Sequence, residues 1–418
     1  MNLKQQILSY SGVNIINASV PFLMLPILTS YISPGDYGVL SMVQLLMLLS
    51  FPFVILNSQG LLTMEYSNLS ENKYKILVST AILIPLFGCF FLEIIFFFFS
   101  SHVIKYFQIP NYLLYLIPIF LFFQTIPTFV PIIFQAKKDP FNFGKFKVSL
   151  TIANVLLSLL FVILLDYGWE GRLFGIVGSF MIFSIIGIIL LFRIDIFSFS
   201  FDFASFKKIL NFGIPLLPHA FFGILLASSS KIFLLNMISN DAVGIYTVAL
   251  QVASVVLLIM TSINQAWAPN LYEVLNSNPN QYVKLAIVKK TYRLMLFMLV
   301  TTLLFIIFVP FVFKLFIDEN YHAGIVLSRI ISFGFLMNGL YFLVTNYILF
   351  TKKTGVLSYI TSVISIFGLI INYYLILEYG IVGASYSLIV TFVLLFIAVF
   401  YYSNKLYRMP WMLKLKKK

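Results

Sequence analysis

Residues 76–99 read ILVSTAILIPLFGCFFLEIIFFFF, with Glu93 the one charged side chain in the stretch. A helix of that length rises about 36 Å, enough to cross the roughly 30 Å hydrocarbon core of a bilayer. A surface helix of a soluble protein needs a polar face, and this stretch has none. Similar stretches lie at 9–31, 38–62, 112–135, 147–165, 172–192, 209–235, 244–267, 291–313, 324–350, 356–377 and 383–402. The sequence therefore predicts an all-α integral membrane protein of about twelve transmembrane helices. The composition agrees: of 418 residues 61% are hydrophobic, 18% aromatic and 10% charged, whereas soluble chains carry about 25% charged residues. The first stretch is too long for a signal-peptide core and reads as a retained helix. Cys89 is the single cysteine, so the chain forms no intrachain disulfide.

The net charge of +13 invites a nucleic-acid reading, but its distribution does not support one. When the twelve segments alternate across the bilayer, 22 of the 27 Lys and Arg residues fall on one side, from Lys4 and Lys73 to the run ending at Lys418. Lys105, Arg172 and Lys314 fall on the other, and Lys231 and Arg329 lie within segments. Basic loops stay inside, so both termini are expected in the cytoplasm, and the basic tail is expected to be drawn to anionic membrane lipids. The loops are short. The longest, 268–290, leaves no room for a separate domain, so function is expected within the bilayer.

The chain repeats itself at an offset of about 206 residues. Ser33-Pro-Gly-Asp-Tyr-Gly38 follows the first segment and Ser239-Asn-Asp-Ala-Val-Gly244 the seventh. Gln59 matches Gln265, and Tyr66 matches Tyr272. Asp166-Tyr-Gly168 with Gly175-Ile-Val-Gly178 answers Glu378-Tyr-Gly380-Ile-Val-Gly383, a short insertion apart. Two six-helix halves are expected, 1–200 and 201–418 with its basic tail, of the same orientation and around a central cavity.

No phosphate-binding glycine loop, metal-ligand motif or nucleophile elbow is present, so no enzyme activity and no cofactor are expected. What stands out is polar groups in apolar segments. The eighth segment sets Thr247, Gln251, Ser254, Thr261, Ser262 and Gln265 within one arc. The fourth aligns Gln124, Thr128 and Gln135, and the first groups Tyr10, Ser11, Asn14 and Asn17. Such faces serve either helix packing or the wall of a hydrated pathway. A charge at mid-membrane costs roughly 2.5–3.5 kcal/mol, which singles out Lys231 and Glu93. Lys231 reads equally as pathway-lining or as snorkelling to the outer interface. Arg329 reads as snorkelling, and His219 as a packing histidine that completes the candidate pathway set.

Leu25-Pro-Ile-Leu-Thr29 through Ser33-Pro-Gly-Asp-Tyr-Gly38, with Asp241-Ala-Val-Gly-Ile-Tyr246 and Tyr379-Gly-Ile-Val-Gly-Ala384, resembles the Wzx family of O-antigen and polysaccharide flippases. That family lies within the superfamily that also holds the MATE exporters. The resemblance implies a MATE/MOP-like bundle in the bacterial inner membrane. It also implies alternating-access transfer of an undecaprenyl-pyrophosphate-linked oligosaccharide, an O-antigen or capsule repeat unit, to the outer leaflet. Other polysaccharide and lipopolysaccharide assembly proteins are implied as partners, and coupling to H+ or Na+ is left open. Ser30 and Lys231 stand where many members have Arg and Asp. A multidrug or small-cation exporter of the same superfamily is the alternative, though its cavity should be acidic. A polymerase should show a long outer loop, and an acyltransferase a deep His beside an acid.

The orientation is testable by cysteine labelling after Cys89 is replaced. Cysteines at Asn68 and Ser277 should be shielded from an impermeant thiol reagent in intact cells, and those at Gly35 and Asn240 labelled. Labelling at Asn68 or Ser277 would reverse the assignment.

Overall fold

A computed structural model describes the backbone of residues 3–413, and side chains from residue 12 onward except 15, 18, 219 and 354. The side chains of Lys4, Tyr10, Ser11 and His219, and the tail residues Lys414, Lys416, Lys417 and Lys418, lie outside the described residues. Thirteen α-helices follow one another, and no strand occurs among the described residues. They are α1 (Leu3–Tyr31), α2 (Pro34–Ile55), α3 (Ser58–Glu65), α4 (Glu71–Phe107), α5 (Asn111–Ala136), α6 (Pro140–Leu159), α7 (Gly168–Arg193), α8 (Phe203–Gly213), α9 (Leu217–Met237), α10 (Asn240–Asn276), α11 (Gln281–Phe316), α12 (Gly324–Phe350) and α13 (Thr354–Leu406).

Eleven helical stretches among the described residues are long and apolar enough to cross a membrane. The last of these belongs to α13, whose 53 residues would extend about 80 Å if straight, far beyond a bilayer. Gly380, at φ 58° and ψ −138°, breaks it, so α13 is two crossing helices joined at a residue only glycine accommodates readily. Twelve crossing segments result, as the hydropathy predicts.

The chain forms two compact units, Met1–Ser228 and Ser229–Lys418, divided within α9. In the first, α2 and α5 bury most residues each, including Met42, Val43, Leu113, Ile117 and Phe129. In the second, α10 and α12 do so, with Val248, Val252, Met260, Ile331 and Leu343. α4 (37 residues) and α11 (36 residues) are the long peripheral helices of their units. Phe90, Phe97 and Phe98 of α4 are exposed, as are Leu304, Ile307 and Phe308 of α11. In lipid such side chains incur no desolvation penalty, so the usual rule of apolar burial relaxes.

The repeated motifs have matching geometry. Ser33 caps α2 by accepting from the Asp36 amide at 3.2 Å, and Ser239 caps α10 by accepting from the Ala242 amide at 3.2 Å. Gly168 (φ +50°) and Gly380 (φ +58°) both turn the chain in the left-handed half of backbone space. Three residues on, a Cβ at Gly171 would stand 2.9 Å from the Phe161 carbonyl, and one at Gly383 1.9 Å from that of Leu375. The structure thus pairs Gly168-x-x-Gly171 with Gly380-x-x-Gly383, and the short insertion expected from Gly175-Ile-Val-Gly178 is not needed between these turns.

Three expectations change. The second segment, expected as one helix over 38–62, ends at Ile55. Leu56 and Asn57 take left-handed conformations (φ 50° and 49°) before the short α3 begins. The long 268–290 loop is mostly helix, because α10 runs on to Asn276 and α11 begins at Gln281. The seventh segment is divided by a tight turn at Ile214–Leu216, where Pro215 removes a backbone donor. Ahead of that turn lies α8, whose Lys208 pairs with Glu65 of α3 at 2.6 Å.

Gly380→Ala should lower the thermal midpoint of the detergent-purified protein, since forcing a side chain into such a conformation costs about 1–3 kcal/mol. Gly355→Ala, at the start of α13 where a Cβ meets open space, should not. Equal midpoints for both variants would remove Gly380 as an obligatory break.

Candidate functional site

α6 carries Lys147, Thr151, Asn154 and Ser158 at spacings of four, three and four, which places them on one helical face. Each finds its partner on a neighbouring helix. Lys147 Nζ donates to Asn14 Oδ1 of α1 at 2.9 Å and lies over the Phe143 ring, 5.2 Å from its centroid. The Thr151 hydroxyl donates to Asn17 Oδ1, whose amide donates to the Val13 carbonyl at 2.9 Å. Arg172 Nη1 of α7 donates to Asn154 Oδ1 at 2.7 Å and to the Ser158 hydroxyl. Asn154 Nδ2 reaches Ser179 Oγ of α7 at 3.4 Å. The result is a continuous polar seam linking α1, α6 and α7 in the first unit.

This seam holds two cations on neutral partners. The ion pairs among the described residues are Lys75–Asp195 and Lys208–Glu65, and neither lies in the seam. Amides and hydroxyls satisfy part of a guanidinium's donor fork without cancelling its charge. By charge segregation alone Arg172 reads as a cation of the outer side. It is instead 9% exposed, inside α7. Lys147, counted with the inner-loop lysines, is turned toward α1.

The second unit centres its network on Asn372 of α13, which is 3% exposed. Its Nδ2 donates to Ser229 Oγ and Ser230 Oγ of α9, both at 3.1 Å, and its Oδ1 accepts from Ser387 Oγ at 2.8 Å. Asn372 and Ser387 lie on opposite arms of the Gly380 break. Lys231 follows Ser230 directly. A separate group has Asn346 of α12 donating to Asn264 Oδ1 of α10 at 2.8 Å and accepting from the Tyr272 hydroxyl at 3.1 Å. In each unit, then, the first crossing helix is hydrogen-bonded to the fifth.

The remaining candidates scatter. Glu93 is half-buried on α4, and Phe90 and Phe97, one turn before and after it, are 70% and 67% exposed. It therefore sits at the edge of an apolar outer face, away from the seam. Gln251 is half-buried on α10 and its carbonyl accepts from the Ser254 hydroxyl, whereas Gln265 is exposed. Gln124 is half-buried on α5 and its carbonyl accepts from Thr128. Asn14 and Asn17 belong to the seam. Arg329 is exposed and donates to the Ile306 carbonyl. The α6 stripe is hard to see in the sequence because two of its members are small hydroxyls and Lys147 reads as a loop cation; its i, i+4, i+7, i+11 spacing is the available signal. The break after α2 also buries Asn57 Nδ2, Ser58 Oγ and Gln59 Oε1 without partners among the described residues.

Among the described residues no three of His, Cys, Asp and Glu come together as metal ligands. The seams offer hydrogen-bond donors and positive charge, which suit binding of polar or anionic groups.

The sequence pattern of a family described as "Polysaccharide biosynthesis protein" matches residues 3–274. An Lsg locus protein 1 of Haemophilus influenzae is 24% identical over 271 residues, 61% of this chain and 62% of that relative's length. A multidrug resistance MATE family transporter of the MOP superfamily, solved in an inward-facing conformation, superposes with a TM-score of 0.72 at 14% identity, covering 93% of this chain and 94% of the other. The lipid II flippase MurJ superposes with a TM-score of 0.71 at 15% identity, covering 95% and 87%. At such identities the likeness is one of fold.

The Arg172–Asn154 contact is testable by a double-mutant cycle on the thermal midpoint. Asn154→Leu leaves a buried guanidinium short of an acceptor and should destabilise strongly, on the order of 3 kcal/mol. Adding Arg172→Met should recover part of that loss, because removing both partners is milder than removing one. Strict additivity would show that the two side chains do not interact.

Proposed function

The chain belongs to the polysaccharide biosynthesis protein family, and from that membership we propose that it is a flippase for a lipid-linked oligosaccharide. The family match over residues 3–274 carries this reading. The substrate in this reading is an undecaprenyl-pyrophosphate-linked repeat unit of O-antigen or capsule. It moves from the inner to the outer leaflet of the bacterial cytoplasmic membrane by alternating access, and both termini of the protein face the cytoplasm. No covalent bond is made or broken, so no catalytic residue is assigned. Lys147, Arg172 and Lys231 supply positive charge within crossing helices, which complements a pyrophosphate or acidic sugars. Drug export is the second reading, favoured by the MATE fold match. An exporter of organic cations calls for acids along its path, and Glu93 stands at an apolar outer edge instead.

Deletion of the gene should abolish surface polysaccharide and leave lipid-linked repeat units facing the cytoplasm, read by accessibility to an impermeant glycan probe in intact cells and in inverted vesicles. Repeat units reaching the outer leaflet with no other flippase present would falsify the assignment.

Lys231 separates two roles by opposite outcomes. If its ammonium attracts the anionic substrate, Lys231→Ala should cut export and Lys231→Glu should cut it further, while Lys231→Arg, which keeps the charge, retains part of it. The measure is surface polysaccharide per molecule of membrane-inserted protein. Wild-type export by Lys231→Glu would assign Lys231 to the outer interface.

A further inference from the structure

The lysine-rich end of the second unit contains a built cavity that the flippase reading does not use. It measures about 1170 Å³ and lies between the first turns of α11, the last turns of α13 and the segment after α13. That segment is folded back and fastened. The Tyr292 hydroxyl of α11 donates to the Trp411 carbonyl at 2.7 Å, and the Trp411 ring packs against Phe400 at 5.1 Å and Tyr347 at 5.8 Å. Tyr407 stacks on Tyr347, and Lys284 Nζ lies over the Tyr407 ring at 4.7 Å.

The lining has two characters. Phe396, Ile397 and Phe400 of α13 form an apolar wall, with Ile397 57% exposed. Lys405 and Arg408, both exposed, stand at the end of that wall together with Asn404 and Gln281. No Asp or Glu lines the cavity, and neither cation is in an ion pair among the described residues. An apolar wall along a crossing helix ending in cations where that helix leaves the membrane matches one ligand plan: an acyl chain continued by an anionic headgroup. A neutral lipid leaves the cations unanswered, and a free phosphate leaves the apolar wall unanswered.

We infer that this cavity binds an anionic phospholipid, with its phosphate between Lys405 and Arg408 and an acyl chain along Phe396, Ile397 and Phe400. The segment after α13, held to α11 and α12 through Trp411 and Tyr407, forms one side of this site. Basic residues near an anionic headgroup contribute about a factor of five each, so loss of both should weaken binding about thirtyfold.

The test is native mass spectrometry of the full-length protein released from detergent and titrated with phosphatidylglycerol, phosphatidylcholine or glycerol phosphate. Wild type should retain phosphatidylglycerol in preference to phosphatidylcholine and should not retain glycerol phosphate. Lys405→Ala with Arg408→Ala, at exposed positions, should fold normally and lose that preference. Ile397→Trp, which fills the apolar wall and keeps both cations, should also lose it. Retention of phosphatidylglycerol at wild-type affinity by either variant, or equal retention of both lipids by wild type, overturns the inference. Tight binding of glycerol phosphate alone overturns it as well, by making the site one for a soluble anion.

Discussion

The hydrocarbon core of a bilayer offers no hydrogen-bond partner, so every polar group carried into it must be satisfied by the protein. Most of this chain's architecture follows from that constraint. Backbone groups close within helices. Single hydroxyls close onto their own helix one turn back, as Thr29 does to the Leu25 carbonyl and Thr302 to that of Met298, both at 2.8 Å. Side chains too demanding for that solution meet across helices. Asn154, Arg172, Asn346 and Asn372 are the residues around which helices are positioned, because each must be matched by partners on a second or third helix.

The manner of matching has an electrostatic consequence. A carboxylate beside Arg172 or Lys147 would neutralise it. Amides and hydroxyls instead satisfy hydrogen-bond geometry and leave the charge in place. Burying such a charge costs stability, and the proposed passage of an anionic lipid-linked substrate would give it a use. Lys75 and Lys208, by contrast, are paired with the carboxylates of Asp195 and Glu65.

The two units repeat one plan with local departures. Buried second and fourth crossing helices, long peripheral third helices, serine caps and positive-φ glycines recur in both. Yet α10 runs unbroken through Gln265, whereas the equivalent stretch around Gln59 follows the left-handed pair Leu56 and Asn57. Asn tolerates that conformation better than most residues, but Leu does not, so the surrounding packing must hold it there. Among the described residues, Asn57 Nδ2, Ser58 Oγ and Gln59 Oε1 are buried at this break without hydrogen-bond partners.

The sequence by itself determined the crossing count and the segregation of basic residues to one side, because hydropathy sums locally over about twenty residues and needs no knowledge of neighbours. It also carried the repeat, through caps and glycines whose roles are local. It did not determine which polar residues meet. Rotation of a helix about its axis is decided by packing, and lipid-facing and protein-facing sides are equally apolar here, so hydrophobic periodicity carries little information. That is why Gln265 emerges exposed, Glu93 lies among exposed phenylalanines, and Arg172, read as a loop cation, is held inside its unit. The α6 stripe had a legible spacing, but only the approach of α1 and α7 turned Lys147, Thr151, Asn154 and Ser158 into a connected seam. Tertiary structure made that choice because a hydrogen bond between helices requires two side chains to arrive at the same depth, facing one another.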